Sequence, residues 1–134
     1  MFIQCFYFMI NYSLIASFHW CLDPWIDCNS TSITQQLVDD EHTAVFSCSA
    51  NGMPHSRLRF QWYYIDSNNT RHRKSESQFK SQGTTKTSIM KHDRSKMSGS
   101  HKIICEVTNT LIKNGSCIRS TTIDPLPPSY SKFI

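Results

Sequence analysis

Two cysteines, Cys48 and Cys105, bracket Trp62 inside runs that alternate apolar and polar residues, and this pattern constrains the fold more than anything else in the chain. Residues 43 to 48 read TAVFSC, so Ala44, Phe46 and Cys48 share one face of a strand, because successive side chains point to opposite sides. Residues 57 to 64 read RLRFQWYY, which puts Leu58, Phe60, Trp62 and Tyr64 on one face and Arg57, Arg59, Gln61 and Tyr63 on the other. Residues 103 to 107 read IICEV and repeat the period, with Ile103, Cys105 and Val107 inward. A period of two predicts half-buried strands. Two inward cysteines on separate strands can be joined across two packed sheets, and Trp62, fourteen residues after Cys48, can cover the bond.

This Cys, Trp, Cys arrangement resembles the immunoglobulin superfamily. The resemblance covers residues 33 to 123, and the string CEVTN at 105 to 109 is similar to the sixth strand of such domains. It departs at the corner before that strand. Ile103 stands where the family usually has a tyrosine, and Gly99, Ser100 and His101 replace the usual acidic residue and glycine. The resemblance implies an all-β fold, an immunoglobulin-like two-sheet Greek-key sandwich, with Cys48 and Cys105 forming the bridge between sheets. The first and last strands of such sandwiches run side by side. A second bridge from Cys28, ahead of the first strand, to Cys117, opening the last, is therefore expected to lock the N-terminal strand onto a sheet edge.

At 134 residues there is room for one such domain, which needs about 100. Six cysteines without a C-x-x-C pair point to disulfides rather than a zinc ribbon, given an oxidising compartment. Residues 1 to 22 contain no Asp, Glu, Lys or Arg and are crowded with Phe, Ile, Leu and Met. They predict a secretory signal over 1–17, cut after Ala16 or Ser17. The competing reading is an uncleaved anchor, which needs about 20 predominantly apolar residues and is interrupted here by Gln4, Asn11, Ser13 and His19. No second long apolar run follows, so the cleaved product is expected to be secreted without stable membrane insertion. The rest divides into an irregular lead-in at 18–32, the sandwich at 33–123 and a Pro-containing tail at 124–134. If Cys5 leaves with the signal, Cys21 is odd in number. It then implies a disulfide dimer, unless cleavage falls elsewhere or Cys21 takes the place of Cys28. Sequons at Asn29, Asn68 and Asn114 lie at the lead-in or at turns, where a glycan stays in water; Asn11 also matches, within the signal.

Charge is uneven along the chain. Residues 1 to 56 hold no Lys or Arg and five acids, whereas 57 to 102 hold eleven Lys or Arg against Asp66, Glu76 and Asp93. The basic middle, centred on Arg71, His72, Arg73 and Lys74, suits an acidic protein or a sulfated glycan, against the plainer reading of a solvated face. Nucleic acid is a poor partner for a secreted sandwich. Parity defines a second surface: the outward side of the strands around Trp62 and Cys105 carries Arg59, Gln61, Tyr63, Ile104, Glu106 and Thr108. Tyr and Arg are favoured anchors in protein interfaces, and Ile104 beside Tyr63 adds an apolar element.

No enzyme, cofactor or metal site is expected. The six histidines are scattered without an H-x-x-x-H spacing, and no Gly-rich phosphate loop or paired acids stand out. Pro127, Pro128, Ser129 and Tyr130 match a P-P-x-Y ligand, but its partners are intracellular and a plain tail is the expectation. The layout of signal, lone sandwich, glycans and short tail is similar to secreted cytokine-binding decoys of the interleukin-18-binding protein kind, carried by Cys48, Trp62, Cys105 and the His42-Thr43 lead. Where those decoys place an aromatic anchor after the tryptophan, this chain has the polar and basic run from Asp66 to Lys74. The resemblance implies a secreted module that binds an extracellular protein. The alternative is an adhesion or matrix-associated module, or a fragment of a receptor ectodomain, held by sulfated glycans.

Overall fold

The structure, a computed structural model, describes residues 4–9 and 17–127, with side chains from residue 23 onward. Asn11, Ala16 and the residues from 128 on lie outside the described residues, as does the side chain of Cys21. The expected cleavage point, the fourth sequon, most of the P-P-x-Y string and the bonding of Cys21 fall there. Gln4–Met9 (β1) and Ser17–Leu22 (β2) form an antiparallel pair whose register sets Cys5 opposite Cys21. No helix among the described residues is long and apolar enough to cross a membrane.

The other strands form two four-stranded antiparallel sheets. One contains Trp25–Val38 (β3), Thr43–Met53 (β4), Gln78–Gln82 (β7) and Thr85–Asp93 (β8), in the order β3-β4-β8-β7. The other contains Leu58–Ile65 (β5), Arg71–Lys74 (β6), His101–Asn109 (β9) and Ser116–Ile123 (β10), in the order β10-β9-β5-β6. The chain crosses between sheets after β4, β6 and β8. This is an all-β, immunoglobulin-like Greek-key sandwich.

Alternation builds the core. Along β4 every second residue is buried, so Ala44, Phe46, Cys48 and Ala50 meet Ile103, Cys105 and Val107 of β9 across the two sheets. Cys48 and Cys105 are bonded, with Cα atoms 6.4 Å apart. Trp62 stands directly opposite Cys105 in the β5–β9 register and is buried beside the bridge, its indole N–H donating to Ser88 Oγ at 2.9 Å. Burying a ring of this size removes about 150–250 Å² from water, roughly 4 to 6 kcal/mol before ordering entropy is subtracted.

The first strand of the sandwich begins at Trp25, taking in residues 25–32, which by composition read as an irregular lead-in. Residues 25–27 pair with 51–53 of β4, the register breaks, and pairing resumes at Ser32. The polar residues between supply the bulge's own bonds: Asp27 O accepts from the Ser30 and Thr31 hydroxyls, and Asp27 Oδ1 accepts from the Asn29 amide at 3.0 Å. From this bulge Cys28 bonds Cys117 at a Cα separation of 5.3 Å. Arg119 of β10 donates to the Thr31 carbonyl at 3.1 Å and to the Cys28 carbonyl, tying the last strand to the first.

Gly52 lies within β4, and its neighbours approach too closely for any larger residue: a Cβ there would stand 2.8 Å from the Trp25 carbonyl and 2.9 Å from Leu58 Cδ2. The corner between β8 and β9, ahead of Ile103, is held by buried Arg94. Its guanidinium donates to the carbonyls of Glu41, Asp124 and Pro125, so the start of the tail is docked against the domain.

Candidate functional site

The outward side of the sheet β10-β9-β5-β6 gathers the residues that parity singled out. Arg59 stands opposite Thr108, Gln61 opposite Glu106, and Tyr63 opposite Ile104. The β5–β6 register adds Arg73 beside Tyr63 and Arg71 beside Ile65. Arg73 donates to Gln61 Oε1 at 2.6 Å, and the Arg71 guanidinium lies 3.8 Å over the Tyr63 ring. A guanidinium in that place is attracted by the ring's negative face and restrains the phenol. Ile118 of β10, opposite Glu106, is 56% exposed and extends the apolar element beyond Ile104. The sequence carries its signal: with Cys117 inward, Ile118 must face out.

Two surfaces that look separate in the sequence therefore meet, and the basic trio divides. Arg71 and Arg73 join the outward face. Lys74 has the parity of Trp62, turns to the sandwich side, and lies 6.0 Å from the Tyr64 ring. Alternation along a strand forbids four consecutive residues from presenting one charged face.

The inward parity of Tyr64 and His72 assembles a second cluster at the sheet end. Tyr64 stacks on His72 at 4.5 Å and on His101 at 5.0 Å, and His92 leans on it at 4.9 Å. His92 Nε2 and His101 Nδ1 share a hydrogen bond of 2.9 Å, and His72 Nε2 meets Asp66 Oδ2 at 2.8 Å. Burial above all, with repulsion from Lys74 and His101, pushes His92 down to about 4, against a smaller opposing pull from Asp93. Burial also lowers His101. The bond from His72, with backbone bonds from Thr70 and Asn68, holds the Asp66 carboxyl below its usual range. Sequence spacing gives no sign of this cluster, because 72, 92 and 101 belong to three strands in two sheets. Among the described residues, no group of three or more His, Cys, Asp or Glu is placed to hold a metal ion.

The three sequon asparagines are exposed: Asn29 in the β3 bulge, Asn68 in the β5–β6 turn and Asn114, at φ 64°, in the β9–β10 turn. No family model matches the chain, and no curated protein matches it either.

Proposed function

We propose that this chain is a secreted, glycosylated immunoglobulin-like module that binds an extracellular protein through the outward face of β5, β6, β9 and β10. The observation that carries the reading is Tyr63, covered by the Arg71 guanidinium and flanked by Ile104. A pre-ordered aromatic with an arginine loses little side-chain freedom on binding, which is what an interface anchor requires. Exposed Ile118 and the polar rim of Arg59, Gln61, Glu106 and Thr108 fit the usual division into an apolar centre and a wet margin. Two bridges within the sandwich suit an oxidising, extracellular compartment. A soluble cytokine-binding decoy is the form of this function that the family resemblance favours, and no catalytic role is assigned.

The alternative, a matrix-associated module holding sulfated glycans through Arg71, Arg73 and Lys74, loses one member of its trio to the other side of the sheet. The protein-binding reading keeps Arg59, Gln61, Tyr63, Ile104 and Glu106 on one side. The test is secretion from animal cells, purification from the medium and a binding screen against extracellular proteins, cytokines included. Binding that falls at least tenfold in Tyr63→Ala and Ile104→Asp supports the reading, whereas retention on heparin above physiological salt that survives both changes transfers it to the glycan alternative.

A further inference from the structure

Strand β5 has β9 along one side for its whole length, but β6 covers only Trp62–Ile65 on the other. If β6 continued in register, Ser75 would stand opposite Gln61 and Glu76 opposite Phe60. Instead the chain leaves for the other sheet, where Glu76 accepts a bond from Ser88 Oγ and the Ser77 amide bonds the Ile89 carbonyl at 2.7 Å. Residues 58–61 are left without a neighbouring strand on that side, over about 13 Å of edge. The Leu58 carbonyl faces this opening, accepting from Lys86 Nζ at 3.1 Å. A period of two then sends the backbone N–H and carbonyl of Phe60 the same way.

Two adjoining hollows of about 460 and 280 Å³ lie along this edge and share Phe60 and Glu76. Their walls bring together four cations from three strands, Arg59, Arg73, Lys74 and Lys86, against the single carboxylate of Glu76. Between the cations lie two aromatic rings, Phe60 and, at the rim, Phe79, which is 59% exposed. Lys86 Nζ lies 5.1 Å from the Phe79 ring. Burial and then the charge of Arg59 hold the Lys86 ammonium below the usual lysine value, so an anion entering here relieves a repulsion the fold already contains.

We propose that the uncovered edge of β5 at residues 58–61 binds an extended acidic peptide as an added strand, with its carboxylates on Arg59 and Arg73 and its apolar side chains on Phe60 and Phe79. An open edge supplies backbone bonds, and alternate pockets select side chains, which is how strand addition gains affinity and specificity. Outward-parity Arg59 and Arg73 meet every second residue of such a strand, and inward-parity Phe60 meets those between. The unpaired backbone of β5 favours a peptide over a sulfated sugar, which has no backbone amides to pair with it. This goes beyond the partner proposed for the outward face, and different residues test it.

The probe is a labelled, acetylated heptapeptide alternating glutamate and leucine, titrated by fluorescence anisotropy against the intact secreted protein. Lys74→Glu and Phe79→Ser, both at the groove margin, are expected to weaken it about tenfold each, while Tyr63→Ala leaves it unchanged. N-methylation of alternate peptide amides, in the frame that faces β5, is expected to abolish binding. No binding of the peptide, equal binding of a glutamine and leucine analogue, or binding indifferent to N-methylation would overturn the proposal. So would tighter binding of a heparin-derived oligosaccharide that is insensitive to Phe79→Ser.

Discussion

His92 and His101, one on each sheet, share a hydrogen bond of 2.9 Å between Nε2 and Nδ1, and the remaining ring nitrogen of His92 is buried without a partner. One nitrogen of the bonded pair must lack a proton, so the contact across the sheets requires that at least one ring be neutral. In the unfolded chain His92 takes up its proton near pH 6.5, but in the folded chain only near about 4. Between those values the unfolded state binds more protons, so stability falls as pH is lowered through this window. His101 shifts in the same direction, and Asp66 adds a further loss below about pH 4. The expected cost from His92 between pH 7 and pH 4 is on the order of 2 to 3 kcal/mol. Thermal melts across that range should show a falling Tm, and His92→Gln should flatten the fall. A profile as steep in the variant as in the parent would show that His92 is not the group responsible.

Legibility followed burial. β4, β5 and β9 could be read in advance because one face of each is strictly inward and carries Cys48, Trp62 or Cys105. β6 and β7 could not, since they are edge strands with little buried surface: all five residues of β7 are exposed, so no apolar period marks it. The start of β3 was hidden because Asp27, Asn29, Ser30 and Thr31 have loop composition and here build a bulge inside a strand. The outward face was legible by parity, whereas the split of Lys74 from Arg71 and Arg73 depended on where β6 begins. The histidine cluster and the open edge of β5 arise from crossings between sheets. Neither leaves a local trace in the sequence.

Ser88→Ala should destabilise the sandwich by about 1 to 3 kcal/mol. The hydroxyl is fully buried, accepts from the Trp62 indole and donates to Glu76, so its removal leaves the indole N–H without a partner inside the core. Urea unfolding followed by tryptophan fluorescence measures the loss. Ser88→Thr, which keeps the hydroxyl, should recover part of it, and equal losses in both would mean that packing rather than the bond is at stake.

Gly52→Ala is expected to destabilise the fold, although a strand interior ordinarily gains from alanine. The added methyl would meet the Trp25 carbonyl at 2.8 Å, and a backbone atom held in the β3–β4 register cannot swing aside as a side-chain tip can. A cost of about 1 to 3 kcal/mol follows for this kind of overpacking. Hydrogen exchange should quicken first at Trp25, Ile26 and Asp27. Uniform quickening across both sheets would contradict a local origin.

Cys28–Cys117 and Arg119 hold the same junction by different means, and their effects should not add. The bridge closes a loop with a sequence separation of 89, for which chain entropy gives about 4.6 kcal/mol, while native strain and residual denatured structure commonly reduce the measured value to about 2 to 4. With the bridge removed by paired Cys→Ser changes, Arg119 still donates to the carbonyls of Thr31 and Cys28, so β3 should stay docked on β10. With Arg119→Ala alone, the bridge keeps the bulge in place and the loss should be about 1 kcal/mol. Removing both frees the N-terminal part of β3 from β10, so the combined variant should lose more than the sum of the two by about 0.5 to 3 kcal/mol. A double-mutant cycle by urea unfolding measures that coupling, and additive losses would show that the bridge and the guanidinium act on independent parts of the sandwich.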